Sequence, residues 1–469
     1  MHRREVQDLY EHYPYPSNRI QIALPRLSNC HTLSYEWLHS LRTGRFESHE
    51  NKNILVAGCG TIEPVVIAKL HPKAKIWAID LSNQSLRVLQ KNANFHNVEI
   101  NSFLTSIELA NETLDTNFFD AIYCTGVLHH CNNPESSLLE LSKLLRKTGV
   151  LRLMVYSAQS RLWIYEIRNI LKNKIELKKQ SPLTLLNQCI EALKAEPNAI
   201  TLLQVFKTYI DSGSIRDVVD GFFHPKDDPI SFFDLQKYSE TAGLCLTGFA
   251  SPSNKIKLFS DLNPWVREQI IDGLFEYDSN PIIILSKSLE PVRPGISKKL
   301  VKNPVISNTS FVEKILYPWI DSPLLEKRVN RWTLSTKTNN PQNQINAGLL
   351  IPTDGLLTNH QFQNRFALEN PFSKPWSMNQ HEINRLETFL ERQNINSKIP
   401  SHIQSRILFG LAFAFHYLPK KRLLETLQSI LQPKQDSQGR RIFNYCTADF
   451  LQSLNSNTLD SIEDFLSNN

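Results

Sequence analysis

The sequence has no Cys-x-x-Cys pair. Its seven cysteines are odd in number and scattered, which argues against a disulfide scaffold or a thiolate metal site and for a reducing compartment. Long hydrophobic runs are also missing. The longest apolar stretch, 407–418, is too short to span a bilayer and reads as a buried helix. The opening Met1-His2-Arg3-Arg4-Glu5 lacks the apolar core of a signal peptide, so the cytoplasm is the expected compartment and no membrane partner is expected. Charge of one sign is scarce as well: 52 Lys and Arg against 46 Asp and Glu leave a net charge of +6. The basic clusters Lys298-Lys299-Leu300-Val301-Lys302 and Lys420-Lys421-Arg422 are short and read as solvated surface. That balance tolerates an anionic partner but argues against nucleic acid.

What is present is ordinary globular material. A length of 469 residues suggests two or three domains, and 41% hydrophobic with 21% charged residues suits a soluble fold. The chain is organised around 53–82. Ile54-Leu55-Val56-Ala57 is a short apolar run of the kind that forms a buried parallel strand. Gly58-Cys59-Gly60-Thr61 breaks it with two glycines, which let the backbone approach a ligand that a Cβ would hold off. The stretch from Pro64 to Leu70 has helical spacing, with Pro64 in the first turn, where a missing N–H costs nothing. A second buried strand, Ile76-Trp77-Ala78-Ile79, ends on Asp80, and a carboxylate at that tip suits the paired hydroxyls of a ribose. A dinucleotide fingerprint would need Gly or Ala where Glu63 stands, so a nicotinamide oxidoreductase is disfavoured.

The Gly-Cys-Gly-Thr loop resembles motif I of the class I S-adenosylmethionine methyltransferases. The run Phe119-Asp120 followed by Gly126-Val127-Leu128-His129-His130 and Pro134 resembles their motif IV region. The resemblance covers about residues 1–290 and implies an α/β, Rossmann-like seven-stranded sheet, closed by an antiparallel last strand. It implies S-adenosylmethionine as cofactor, held by Gly58, Cys59, Gly60, Thr61, Asp80, Leu81, Thr105, Ser106, Gly126 and Val127. It further implies a methyl acceptor, either a protein or a small molecule. Tyr10-Glu11-His12-Tyr13-Pro14-Tyr15-Pro16 cannot be a helix interior. It resembles the segment that precedes this fold in a subset of bacterial members and closes over the active site. The tyrosine faces of Tyr10, Tyr13 and Tyr15 would attract the sulfonium, which makes Tyr13 a candidate catalytic residue and Tyr15 a candidate cofactor contact. An arm that merely packs on the domain is the alternative.

His129 and His130 are the titratable pair of the motif IV loop. Either they fix the loop through backbone bonds, or one of them orients or deprotonates the acceptor. Together with Cys131 they have metal-binding side chains, but adjacent loop residues rarely converge on one ion without distant partners, and no metal is expected. A helical insertion, 157–229, occupies the family's usual acceptor-binding position and offers Arg161, Asp220 and His224. The expected domains are a lid segment, 1–50, a methyltransferase domain, 51–290, and a mainly helical accessory domain, 291–469. The last follows the linker Glu290-Pro291-Val292-Arg293-Pro294-Gly295 and would recognise substrate or form a homodimer. Ile62 and Val56 stand where the family usually has a glycine and an acidic residue, so a catalytically degenerate scaffold of the same fold is the alternative function.

Overall fold

A computed structural model describes residues 2–16, 33–157, 161–177, 181–197, 199–210, 215–249, 261–275 and 280–296, then 300–302, 333–335, 350–357, 361 and parts of 410–422. In chain order the elements are α1 (His2–His12), α2 (Tyr35–Thr43), β1 (Asn53–Ala57), α3 (Glu63–Leu70), β2 (Lys75–Asp80), α4 (Asn83–Phe95), β3 (Asn101–Leu104), β4 (Phe119–Thr125), α5 (Pro134–Leu144) and β5 (Leu145–Met154). The helices α6 (Leu162–Lys174), α7 (Pro182–Lys194), α8 (Ala199–Ile210) and α9 (Ile215–Phe223) form an insertion. Then come α10 (Phe232–Thr241), β6 (Cys245–Phe249), α11 (Pro264–Phe275) and β7 (Ile282–Ser286).

Seven strands make one sheet in the order β3-β2-β1-β4-β5-β7-β6. The pairs from β3 through β5 are parallel, while β7 runs antiparallel between β5 and β6. Continuous apolar runs occupy the middle because helices cover both faces. All five residues of β1 and all five of β7 are buried. Two apolar layers result. One joins Leu55, Ile122 and Leu151 to α5 and the insertion helices. The other joins Ile54, Val56 and Tyr123 to α2 and α3. The strand order reverses between β1 and β4, and a crevice opens beyond the carboxyl ends of such strands.

Local chemistry sets the element ends. Pro64 sits in the first turn of α3. Ser82 caps α4 by accepting from the Ser85 N–H, and Asn133 caps α5 from the Ser136 N–H. The third strand begins at Asn101, where the apolar alternation had suggested 98. The predicted helix at 24–41 appears as α2, and 17–32 lies outside the described residues. The fifth strand starts at Leu145, directly after α5, although Gly149 had suggested a turn. The register opposite it slips between Phe119 and Ala121, so residues 146–149 bulge without leaving the strand. A Cβ on Gly149 would lie 2.9 Å from the Phe119 carbonyl oxygen. The two final strands pair as expected, but α11 lies between them in sequence.

After 290 the described residues form short strands: β8 (Arg293–Pro294), β9 (Leu300–Lys302), β10 (Thr333–Ser335), β11 (Leu350–Pro352) and β12 (Leu356–Leu357). The apolar periodicity had pointed only to helices here. β9 pairs with both β10 and β11, and β12 pairs with β8. The Gly355 N–H donates to the Gly44 carbonyl at 3.0 Å, which fastens this segment to the end of α2. Of the helices expected at 382–393, 403–418, 421–431 and 454–466, the first and last lie outside the described residues. Residues 410, 411, 413, 414, 417, 421 and 422 are helical. No helix among the described residues is long and apolar enough to cross a membrane.

Leu285 lies within β7, next to its last residue, and is fully buried. Leu285→Ala should cost about 2–5 kcal/mol, because the surrounding strands cannot collapse onto the cavity it leaves. The urea unfolding midpoint, compared with the parent chain, measures this.

Candidate functional site

A cavity of about 550 Å³ opens at the carboxyl edge of β1, β2 and β4. Gly58, Cys59 and Gly60 follow β1, Asp80 and Leu81 end β2, Thr105 and Ser106 follow β3, and Gly126 and Val127 follow β4; all of them line it. Gly58, Gly60 and Gly126 have φ of 67°, 55° and 74°, a left-handed conformation that side chains oppose. At Gly60 the space is closed as well: a Cβ would sit 2.7 Å from the Tyr15 carbonyl oxygen.

Asp80 organises the loop. Its Oδ2 accepts from the Gly60 N–H at 2.9 Å and its Oδ1 from the Ser82 N–H at 2.8 Å. Burial pushes this carboxyl up to about 6, and the backbone donors only partly offset that cost. The N-terminal arm roofs the loop. The Thr61 N–H donates to the Tyr15 carbonyl at 3.1 Å. From α1, the Glu11 carboxylate accepts from the Asn83 and Gln84 N–H groups at 2.6 and 3.1 Å. It therefore sits at the N-terminus of α4, where the helix dipole favours an anion.

Ten of the eleven expected cofactor positions line the cavity; Thr61 is the exception, fully buried and bonded to the arm and to the Asn92 side chain. Tyr15 is among the ten, and Tyr10 lines the cavity with it, but Tyr13 does not. Tyr13 instead packs against the apolar layer around Leu9. Its position one helical turn after Leu9, whose carbonyl its N–H reaches at 2.8 Å, turns its ring inward.

His130 lines the cavity and His129 stands behind it. The imidazoles stack with Tyr156, just after β5, and with His224 of the insertion. His130 lies 3.7 Å from the His224 ring and His129 3.8 Å from the Tyr156 ring, both near parallel. Burial drives all three histidines down, His130 to about 4, so they are neutral at pH 7. Each tautomer follows from its partner. His129 Nδ1 accepts from the Tyr156 N–H, and His224 Nδ1 accepts from the Lys226 N–H, both at 3.1 Å. Their protons therefore sit on Nε2. His130 is reversed: its Nδ1 donates to the Lys226 carbonyl at 2.6 Å, which leaves a lone pair on Nε2.

The distant partners that the sequence did not supply for a metal are close by. His129, His130 and Asp227 form one group of metal-type ligands, and His130, Asp220 and His224 another. In each group, however, one histidine is fixed as an Nε2–H donor by a backbone amide, and a donor cannot ligate. The short ring separations also suit stacking better than two lone pairs aimed at one ion; at usual metal–nitrogen distances of about 2.0–2.1 Å, a tetrahedral pair would hold its ring centres about 5 Å apart.

Asp220 lines the cavity, whereas Arg161 and His224 stand behind the wall. The Arg161 guanidinium lies 3.6 Å from the centre of the Tyr156 ring. Tyr156, at the carboxyl end of β5, also lines the cavity and was missed, although its place one strand along from the motif IV loop could have indicated it. Glu63 and Arg152 were missed too. The Thr125 hydroxyl joins them, donating to Glu63 at 2.8 Å and accepting from Arg152 at 3.0 Å.

The family described as "Methyltransferase domain" matches residues 55–153. An uncharacterised phycocyanin operon protein W of Pseudanabaena tenuis is 33% identical over 87 residues, 18% of this chain and 81% of that protein. An uncharacterised protein of Synechococcus sp. is 26% identical over 285 residues, 57% of this chain and 68% of its own. Among solved structures, PKMT2 from Rickettsia typhi superposes with a TM-score of 0.45 at 17% identity, covering 89% of this chain and 75% of that one. The same protein solved in complex with AdoHcy also gives 0.45 at 17% identity, covering 85% and 72%.

Gly60→Ala would force a Cβ into the Tyr15 carbonyl and hold a left-handed backbone without glycine. It should cost about 1–3 kcal/mol and release the arm. The urea midpoint and the rate of proteolytic cleavage near residue 16 measure these two effects; an unchanged cleavage rate would show that the arm is not held here.

Proposed function

We propose that this chain, which carries a class I S-adenosylmethionine-dependent methyltransferase domain, transfers the cofactor's methyl group to a protein or small-molecule acceptor bound at the insertion side of the cavity. The observation that carries this is the meeting of the glycine loop, the Asp80 carboxylate and the motif IV loop at one cavity wall.

The residues fit S-adenosylmethionine. Asp80 keeps free lone pairs beside its two backbone bonds and would accept from ribose hydroxyls. Thr105 and Ser106, beyond β3, would flank the adenine. Gly58, Gly60 and Gly126 would give the methionine part the room that a Cβ denies. When bound, the cofactor supplies a methyl carbon already activated by a sulfonium leaving group. The chain's own task is to hold the acceptor in line and to keep water out. Tyr10, Tyr15 and Tyr156 would do this with rings that also favour positive charge.

Burial lowers the proton affinity of all three histidines, which makes them weak general bases and favours the loop-fixing role. His129 holds the Tyr156 backbone, and His130 holds residue 226 of the insertion. Catalysis would then rest on alignment. Tyr13, half-buried against the core, is assigned a structural role. The methyltransferase domain at 51–290 and a separate accessory unit at 291–469 are part of this proposal, as is a reducing compartment, the cytoplasm.

Isothermal titration with S-adenosylmethionine and S-adenosylhomocysteine, with NAD as control, tests the reading. Micromolar binding of the adenosyl ligands alone is expected, and the absence of binding would favour a scaffold. Asp80→Asn should weaken binding about 10- to 100-fold, the loss of one charge-assisted bond pair at about 1.5–3 kcal/mol. Because the Asp80 carboxyl titrates near 6, affinity should be full above pH 7 and fall as the pH drops through 6. The sign follows from the ionised form being the better acceptor. Flat affinity between pH 5 and 8 would sink the ribose assignment.

Tyr13→Ala should lower the melting temperature and leave adenosyl-ligand affinity within about threefold. Scanning calorimetry paired with the same titration checks this.

A further inference from the structure

Asp220 is a buried carboxylate on the cavity wall; no cation forms an ion pair with it within 4 Å among the described residues, and Arg161 attracts it from further off. Its Oδ1 accepts from the Tyr10 hydroxyl at 2.8 Å, and Oδ2 lies 3.5 Å from the Tyr156 hydroxyl. Its neighbour Asp227 is different, being matched by Arg168 at 2.8 Å and lying 3.9 Å from Arg161. A buried carboxylate bonded to phenols, with a guanidinium only at a distance, is costly unless something positive meets it directly.

A second acceptor stands beside it. His130 spends Nδ1 on a backbone carbonyl, and its buried Nε2 has no hydrogen-bond partner. A nitrogen of the His130 ring and an oxygen of Asp220 lie within 4.8 Å of one another, so the two side chains are close enough for the protons of one small group to reach both. The wall therefore offers two acceptors, one of them anionic, beneath the rings of Tyr10, Tyr15 and Tyr156, which also line the cavity.

A hydroxyl has one proton to give and no charge, and a thiol gives less. Carboxylates and phosphates are repelled. The group that answers both acceptors, the charge and the aromatic rings is an alkylammonium. We infer that the methyl acceptor is a primary amine, bound as its ammonium between Asp220 and His130; this rests on the methyltransferase reading given above. Asp220 then takes one proton from the ammonium, which frees the nitrogen lone pair. The new nitrogen–carbon bond forms as the carbon–sulfur bond breaks, and the electron pair of the latter remains on sulfur.

The test is isothermal titration of the full chain, saturated with S-adenosylhomocysteine, using n-hexylamine and its neutral counterpart n-hexanol. The amine should bind at least tenfold more tightly than the alcohol. Asp220→Asn should remove that preference while S-adenosylhomocysteine affinity stays within about threefold. Equal affinity for the two probes, binding of neither, or a preference that survives Asp220→Asn would overturn the inference and leave the methyltransferase reading standing. Failure to bind S-adenosylhomocysteine would sink that reading, and this inference with it. Should Asp220→Asn not fold, the amine-to-alcohol ratio of the parent chain decides alone.

Discussion

The hydrogen bond from the Gly60 N–H to Asp80 ties together parts of the chain that are otherwise unrelated. It fixes the tip of β2 against the loop that follows β1 and thereby sets the floor of the cavity. The same loop receives the arm, because the next residue along, Thr61, donates to the Tyr15 carbonyl. Floor and roof are thus registered through two consecutive peptide units. The carboxylate serves in a buried setting that raises its proton affinity, so it is held partly at the expense of its own solvation. Such an arrangement suits a group whose remaining lone pairs await a ligand.

The other end of the cavity is built on a different principle. No charge is needed to hold the histidine stack, since neutral rings lie face to face and three backbone groups fix the tautomers. Two of those backbone groups belong to residue 226. The four-helix insertion is therefore fastened to the motif IV loop by directional bonds as well as by apolar packing. Charge is confined to Asp220 on the cavity wall and to Asp227 with its arginines behind it. The two ends thus have separate tasks: the β1–β2 side presents backbone with the carboxylates of Asp80 and Glu63, and the insertion side presents rings around the single carboxylate of Asp220.

Much of the sheet was legible in the sequence because its strands are short apolar runs between glycines, prolines and capping residues. Ile54 to Ala57, Ile76 to Ile79 and Phe119 to Cys124 could hardly be anything else. The cofactor side was legible for a related reason: its loops must carry glycine where φ is positive and a carboxylate where a strand ends. The acceptor side was not. Tyr156, His130 and Asp220 come together only in three dimensions, and no spacing in the chain records the distance between them. The placement of Tyr13 is instructive. Three tyrosines in six residues looked equivalent, but α1 runs to His12 and carries Tyr13 round to the apolar layer, leaving Tyr10 and Tyr15 to face the cavity. The short strands after 290 escaped because two- and three-residue pairings leave no periodicity to read.

The close approach of residue 60 to the Tyr15 carbonyl has an evolutionary consequence. Two segments far apart along the chain meet with no room for a methyl group, so neither can drift alone. A lineage that replaced the glycine would have to shed or re-route the arm, and one that lost the arm would free this position from its steric restriction. Among relatives of this chain, glycine at position 60 and the tyrosine–proline arm should therefore be inherited as one character.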